Sequence, residues 1–207
     1  MIGRITAITP QKRNKKRYNV FIDEDYAFSV SERLAVSLPV GGYLEADEIE
    51  RLKTEDQREH ALSRAMHYLK FRPRSRQEIR NFLEKKGFSG AIVADTLKKL
   101  EDFKYIDDAQ FARAWIESRC RHRPRGEFAL RHELFQKGVK ETIIDRMLAD
   151  FEESGPAWRA VAPKLAQWTN LEPFDLKKKI YEHLRRRGFS FDTCEAVYHQ
   201  ALAQREE

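Results

Sequence analysis

Three short strings constrain this chain more than any other feature. Glu84-Lys85-Lys86-Gly87-Phe88 returns as Phe135-Gln136-Lys137-Gly138-Val139, and again as Arg185-Arg186-Arg187-Gly188-Phe189. The glycines stand 51 and 50 residues apart, and the flanking apolar positions keep step. Ile79 matches Leu130 and Ile180; Leu83 matches Leu134 and Leu184; Val93 matches Ile144 and Cys194; Leu97 matches Leu148 and Tyr198. Arg72-Pro73-Arg74 also returns, as Arg123-Pro124-Arg125. A fixed period near 50 with matched apolar positions marks tandem copies of one supersecondary unit.

The physics of one unit follows from its residues. Ser75-x-x-Glu78 is a capping box, which starts a helix at Arg76 that runs to Lys86 with Ile79, Phe82 and Leu83 as its buried stripe. Gly87 fits the left-handed residue just past a helix end, and Phe88 falls where a Schellman turn sets an apolar residue against Leu83. A second helix follows Ser89, with Ile92, Val93, Leu97 and Leu100 inward; a preceding one carries Leu62, Ala65 and Leu69 and stops at Arg72-Pro73. Each unit is therefore three helices, too small to be stable alone and stable in series. The expected architecture is mainly α: three tandem three-helix repeats at 56–106, 107–154 and 155–207, elongated and curved.

Residues 1–55 read differently, as a small β-hairpin region with one short helix. Arg4 and Thr6 alternate with Ile5 and Ala7; Tyr18, Val20 and Ile22, then Tyr26, Phe28 and Val30, alternate more clearly. Asp23-Glu24-Asp25 suits a tight connection, so two or three antiparallel strands are expected, the first opening at Ile2. A short helix begins after Ser31, and helical periodicity takes over from about residue 55.

Catalytic signatures are thin. The sequence has no phosphate-binding glycine loop, nucleophile elbow or H-E-x-x-H zinc motif. Cys120 and Cys194 form no disulfide framework or metal pair, and the six histidines lack ligand spacing. These features point to a non-enzymatic protein without cofactor or metal, in a reducing cytoplasm. No apolar run reaches the roughly 18 residues of a membrane span, and no signal-peptide pattern is present. Trp115, Trp158 and Trp168 sit in helical apolar stripes and read as core.

With 39 Lys and Arg against 33 Asp and Glu, the net charge is +6, which favours an acidic partner. Its placement matters more than its size. Arg72, Arg74, Arg76 and Arg80 surround the first capped helix start, and Arg121, Arg123, Arg125 and Arg131 surround the second. The third repeat carries Lys177, Lys178 and Lys179 and then Arg185, Arg186 and Arg187. Lys15, Lys16 and Arg17 belong to a basic run between the first two strands, a candidate finger for phosphate or an acidic groove. These residues are the candidate contacts. A stand-alone helix-turn-helix DNA-binding module is the alternative they allow.

Tyr68-Leu69 with Arg72-Pro73-Arg74-Ser75-Arg76-x-Glu78-Ile79, Leu83-x-x-Lys86-Gly87-Phe88, and Tyr105-Ile106-Asp107-Asp108-x-x-Phe111-Ala112 together resemble the bacterial RecX family over residues 58–200. The resemblance implies a protein that binds the RecA recombinase filament on single-stranded DNA, in its groove or at its end. Such a protein limits filament growth, ATP hydrolysis and strand exchange, and so acts in DNA repair, recombination and the SOS response. It implies RecA as partner and single-stranded DNA as a further contact through the basic clusters; no membrane partner is expected, and the oligomeric state stays open, with a monomer favoured. Asp107 reads as a helix cap, and Ile106, Phe111 and Ala112 as core, so this motif reports fold before contact.

Overall fold

The structure is a computed structural model that describes residues 3–206; Ile2, expected to open the first strand, lies outside the described residues. Four strands come first: β1 (Gly3–Pro10), β2 (Arg17–Ile22), β3 (Asp25–Ser31) and, after the short helix α1 (Glu32–Val36), β4 (Tyr43–Leu44). They form one antiparallel sheet in the order β3-β2-β1-β4, one strand more than the alternation predicts. The extra strand is only two residues long, too short to show a period. Asp23 and Glu24, at φ 49° and 74°, make the tight β2–β3 turn that their acidic side chains suited.

Among the described residues nine helices follow: α2 (Ala46–Leu69), α3 (Arg76–Lys85), α4 (Gly90–Asp102), α5 (Asp108–His122), α6 (Glu127–Gln136), α7 (Glu141–Leu148), α8 (Ser154–Leu165), α9 (Pro173–Arg185) and α10 (Phe191–Glu206). They form the expected three triplets, α2–α4, α5–α7 and α8–α10. The first helix differs from its sequence reading. It starts at Ala46 rather than near 55 and runs 24 residues. Its first ten positions hold only Ile49 and Leu52 as large apolar residues, so periodicity is silent there. Glu45 and Glu48 close a capping box at its start instead.

Two compact units result: Met1–Arg72 with Ile79–Asp102, and Pro73–Glu78 with Phe103–Glu207. In the first, the sheet covers Ile5, Val20, Phe28, Val30, Leu34, Ala35 and Leu44, with Ile49 and Leu52 of α2 against them. Arg17 binds the largely buried Asp56 of α2 at 2.8 Å, and Asp56 also accepts the Ser31 N–H at 2.8 Å. The sheet is thus tied to the helix by a charge pair as well as by apolar burial. Ala61, Ala65, Ile79, Leu83, Val93, Leu97 and Leu100 form the buried positions of the first triplet. In the second unit, Leu130, Leu134, Ile144 and Leu148 fill the second triplet, and Leu176, Ile180, Leu184, Phe189 and Cys194 the third. Each triplet uses the positions that the repeat aligned.

Candidate contact surfaces

The second unit contains two equivalent joints. At the first, Ser75 Oγ donates to the Lys137 carbonyl at 2.6 Å while it accepts the Glu78 N–H at 3.1 Å. At the second, Gly126 occupies the place of Ser75 and its N–H donates to the Arg187 carbonyl at 3.0 Å. Phe128 N–H reaches the Gly188 carbonyl at 3.2 Å. In both, the start of one helix sits on the glycine turn of the next repeat. The backbone approach is close: a Cβ on Gly138 would lie 2.6 Å from Gln77 Cγ, and one on Gly188 2.5 Å from Ala129 N.

The joints differ in charge. At the first, Lys137 Nζ is answered by the Glu78 carboxylate at 2.9 Å. At the second, the equivalents are Arg187 and Ala129, so the carboxylate is missing. Arg187 instead donates to the His183 carbonyl at 3.1 Å, and among the described residues it has no ion pair. Burial first, then the nearby Arg125 and Arg186 guanidinium groups, holds its pKa below the ordinary arginine value. The structure therefore brings Arg125, Arg186 and Arg187, from two sequence clusters, into one positive site. Burial, then Arg187, also holds the pKa of the largely buried His183 below its usual value.

The remaining sequence candidates scatter. Arg121 in the last turn of α5 and Arg123 at its C-cap are exposed, as are Lys178 and Lys179 on α9 and Arg185 at its end. Arg185 caps the Phe189 carbonyl at 3.0 Å, and Arg186 the Glu182 carbonyl at 3.1 Å, as cations do at helix C-termini. Lys177 is paired with Glu195 at 2.9 Å, and Arg125 with Glu133 at 3.6 Å. Arg131 is held by Asp145 and by Glu127. Arg80 lies 4.0 Å from Glu84; Arg72, Arg74 and Arg76 are half-buried. Lys15 and Lys16 are exposed at the β1–β2 tip, whereas Arg17 is turned onto Asp56.

Sequence reasoning missed Phe128 and Phe135, each 66% exposed on α6. They flank Arg131 on one helix face, off the Leu130/Leu134 stripe, and being apolar outside that stripe was the signal available. Trp115 is half-buried and held between cations, with Arg119 4.6 Å and Lys137 5.1 Å from its ring, while Nε1 donates to Glu133 at 2.8 Å. Trp158 and Trp168 pack on the third core. Cys194 lies inside that core, where burial pushes its thiol up to about 11. Among the described residues no group of three or more His, Cys, Asp or Glu could hold a metal, and no helix is long and apolar enough to cross a membrane. The cleft lined by Arg33, Glu55, Arg58, Glu59 and Asp95 in the first unit is neutralised from within, since Arg33 pairs with Glu55 and Glu59, and Arg58 with Asp95.

A small antiparallel sheet followed by tandem three-helix repeats with a cationic joint defines a class of small helical-repeat proteins. Three family descriptions match in order: the regulatory protein RecX N-terminal domain over residues 3–39, the first RecX three-helix domain over 61–100, and the second over 107–148. Similar proteins include the regulatory protein RecX of Bacillus subtilis (strain 168), 31% identical over 98% of this chain and 79% of its own length. The RecX of Lactobacillus johnsonii is 36% identical over 95% of this chain and 74% of its own. A crystal structure of a regulatory protein RecX superposes with TM-score 0.72 at 28% identity, covering 94% of this chain and 98% of that one. The chain belongs to the RecX family of regulatory proteins.

Proposed function

We propose that this protein is a negative regulator of the RecA recombinase that docks on the RecA filament on single-stranded DNA. The observation that carries the reading is the positive site at the second joint. Arg125, Arg186 and Arg187 lie together without a full set of counter-charges, with exposed Arg121, Arg123 and Phe128 nearby in sequence. An exposed aromatic residue among clustered arginines is the composition of an interface, since such groups bury area and pair with acidic partners. A protein that binds one filament state better than another shifts the equilibrium by that difference in affinity. Contact along the groove or at the growing end would in this way disfavour subunit addition. The cytoplasm, where the recombinase works, is the corresponding location.

RecA ATP hydrolysis on single-stranded DNA provides the test. Sub-stoichiometric wild-type protein should slow it, and Arg123→Glu with Arg186→Glu should require about tenfold more protein for the same effect. Both residues are exposed, so the urea midpoint should stay put. Unchanged inhibition by the double variant would remove the site assignment. An unaffected ATPase combined with tight, salt-sensitive binding to naked DNA would transfer the function to a stand-alone DNA module.

A further inference from the structure

The turn at Gly87 lacks the cover that its two equivalents have. Gly138 lies under Gln77 of α3 and Gly188 under Ala129 of α6, whereas a Cβ on Gly87 would meet nothing within 4 Å. The next residue shows the same difference. Val139 is 3% exposed and Phe189 0%, but Phe88 is only half-buried, with the His60 ring centre 5.5 Å from its own. The cation before the glycine is bare as well. Lys137 is half-buried and bound to Glu78, while Lys86 is exposed, and among the described residues neither Lys86 nor Lys85 has an ion-pair partner. Lys86 lies over the Phe82 ring at 5.9 Å, as Lys137 lies over Trp115 at 5.1 Å while it also holds Glu78. The first repeat therefore carries one half of a joint that the chain completes twice elsewhere.

The complementary half is the start of α9. A helix start fills both internal joints, and in each the first buried stripe residue falls four positions after the N-cap: Ile79 after Ser75, and Leu130 after Gly126. α9 keeps that spacing, with Glu172 as N-cap and Leu176 buried. The starts of α3 and α6 are engaged inside the chain, which leaves this one. Glu172, Pro173, Phe174 and Asp175 are all exposed, Phe174 by 79%, and no side chain caps them. The Glu172 and Phe174 N–H groups hold the places of those that Gly126 and Phe128 donate to the Arg187 and Gly188 carbonyls. Pro173 removes an N–H that neither joint uses on its glycine turn, since those of Arg76 and Glu127 go to Asp108 and Glu153. Asp175 holds the place of Glu78, the carboxylate that answers Lys137. Among the described residues Glu172 and Asp175 have no ion pair, so two free acids at a helix start match two free lysines at a helix end. Setting the positive end of one helix dipole against the negative end of another adds to the match.

We propose that these halves join copies of this chain head to tail. The α9 start of one copy seats on the Lys86-Gly87-Phe88 turn of the next, with Asp175 on Lys86 and Phe174 over Gly87, where Gln77 lies over Gly138. The joint follows the first internal pattern, in which the N-cap residue carries a side chain and an acid stands three residues on. It cannot follow the second, where a Cβ on Gly126 would lie 2.3 Å from the Gly188 carbonyl oxygen. The two halves differ, so the contact is heterologous, and copies add in series instead of closing into a dimer. One helix start on one turn buries less than the roughly 1,200 Å² of a stable interface, so dilute protein stays as single chains. The proposal goes beyond the RecA reading, because it needs neither recombinase nor DNA.

Sedimentation equilibrium of the full chain alone, over rising concentration, is the test. The weight-average mass should climb above one chain, continue past two, and fall back as salt is raised. Lys86→Glu and Asp175→Lys should each raise the concentration needed about tenfold. Both residues are exposed and unpaired, so the urea midpoints should hold. An equimolar mixture of the two variants should recover association, because each keeps the half that the other has lost. Gly87→Asn, which tolerates the left-handed turn but adds a side chain to it, should also weaken association. A mass that stays at one chain at every concentration would overturn the proposal, and a plateau at two chains would overturn assembly in series. Association that survives both charge variants would move it to another face, and a mixture that fails to recover would show that the two halves are not partners. RecA is absent throughout, so these results and the RecA ATPase readout fail separately.

Discussion

Gly188 and Gly87 hold the same place in their repeats and the same left-handed backbone, φ 80° and 85°, yet live in different surroundings. Gly188 is pressed against Ala129 of the preceding repeat, whereas a Cβ on Gly87 would meet nothing within 4 Å. Gly138 resembles Gly188, with Gln77 against it. One sequence signal thus serves two purposes. In every repeat it lets the chain leave a helix through a conformation that strains any residue with a Cβ. In the second and third it also removes the atom that would stop the neighbouring helix from docking. Only packing distinguishes the two.

That difference can be broken by mutation. Gly188→Ala should lose about 3 kcal/mol, the sum of left-handed strain and an overpacked joint, measured as a fall in urea midpoint. A loss no larger than that of Gly87→Ala would show that the joint yields freely. Glu153 should come next. One of its oxygens accepts the Glu127 N–H at 2.6 Å; the other accepts the Ser190 N–H at 2.9 Å, the Ser190 hydroxyl at 2.7 Å and the Thr193 hydroxyl at 2.8 Å. Glu153→Ala should cost about 2 kcal/mol at neutral pH. Burial alone would raise this carboxyl, but the bonds from Ser190, Glu127 and Thr193 outweigh it and hold the pKa below the ordinary glutamate value. The unfolded chain therefore takes up the proton first on acidification. The stabilisation is complete above the unfolded value of about 4.5 and fades as pH falls through the lower folded one. Urea titrations of wild type and Glu153→Gln should converge toward acid; a gap independent of pH would assign the effect to shape rather than charge. Gly87→Ala should be the mildest, about 1 kcal/mol, since strain acts there without a clash.

The charges teach a similar lesson at the same joints. Lys137 and Arg187 occupy equivalent places, and both belong to obvious basic strings. Lys137 is neutralised because residue 78 is Glu, and Arg187 is not because residue 129 is Ala. The basic runs were legible in the sequence, but which of them stayed uncompensated was not. That depends on a residue some sixty positions away, brought close by helix docking. Arg17 shows the same limit: within a run of six residues it looked like its neighbours, and only the fold placed Asp56 beside it.

By itself the sequence determined the repeat, the capped helix starts, the glycine turns, the buried stripe of each triplet and the β character of the N-terminal region. These depend on local backbone preference and on apolar periods of 2 and 3.6 residues, which a single chain displays without its neighbours. Tertiary structure alone decided where α2 begins, how the strands register around Phe21, which glycines are pressed from outside, and that Arg125 meets Arg186 and Arg187. Each of these rests on a contact between residues distant in sequence, where a side chain's role is set by what the fold places against it.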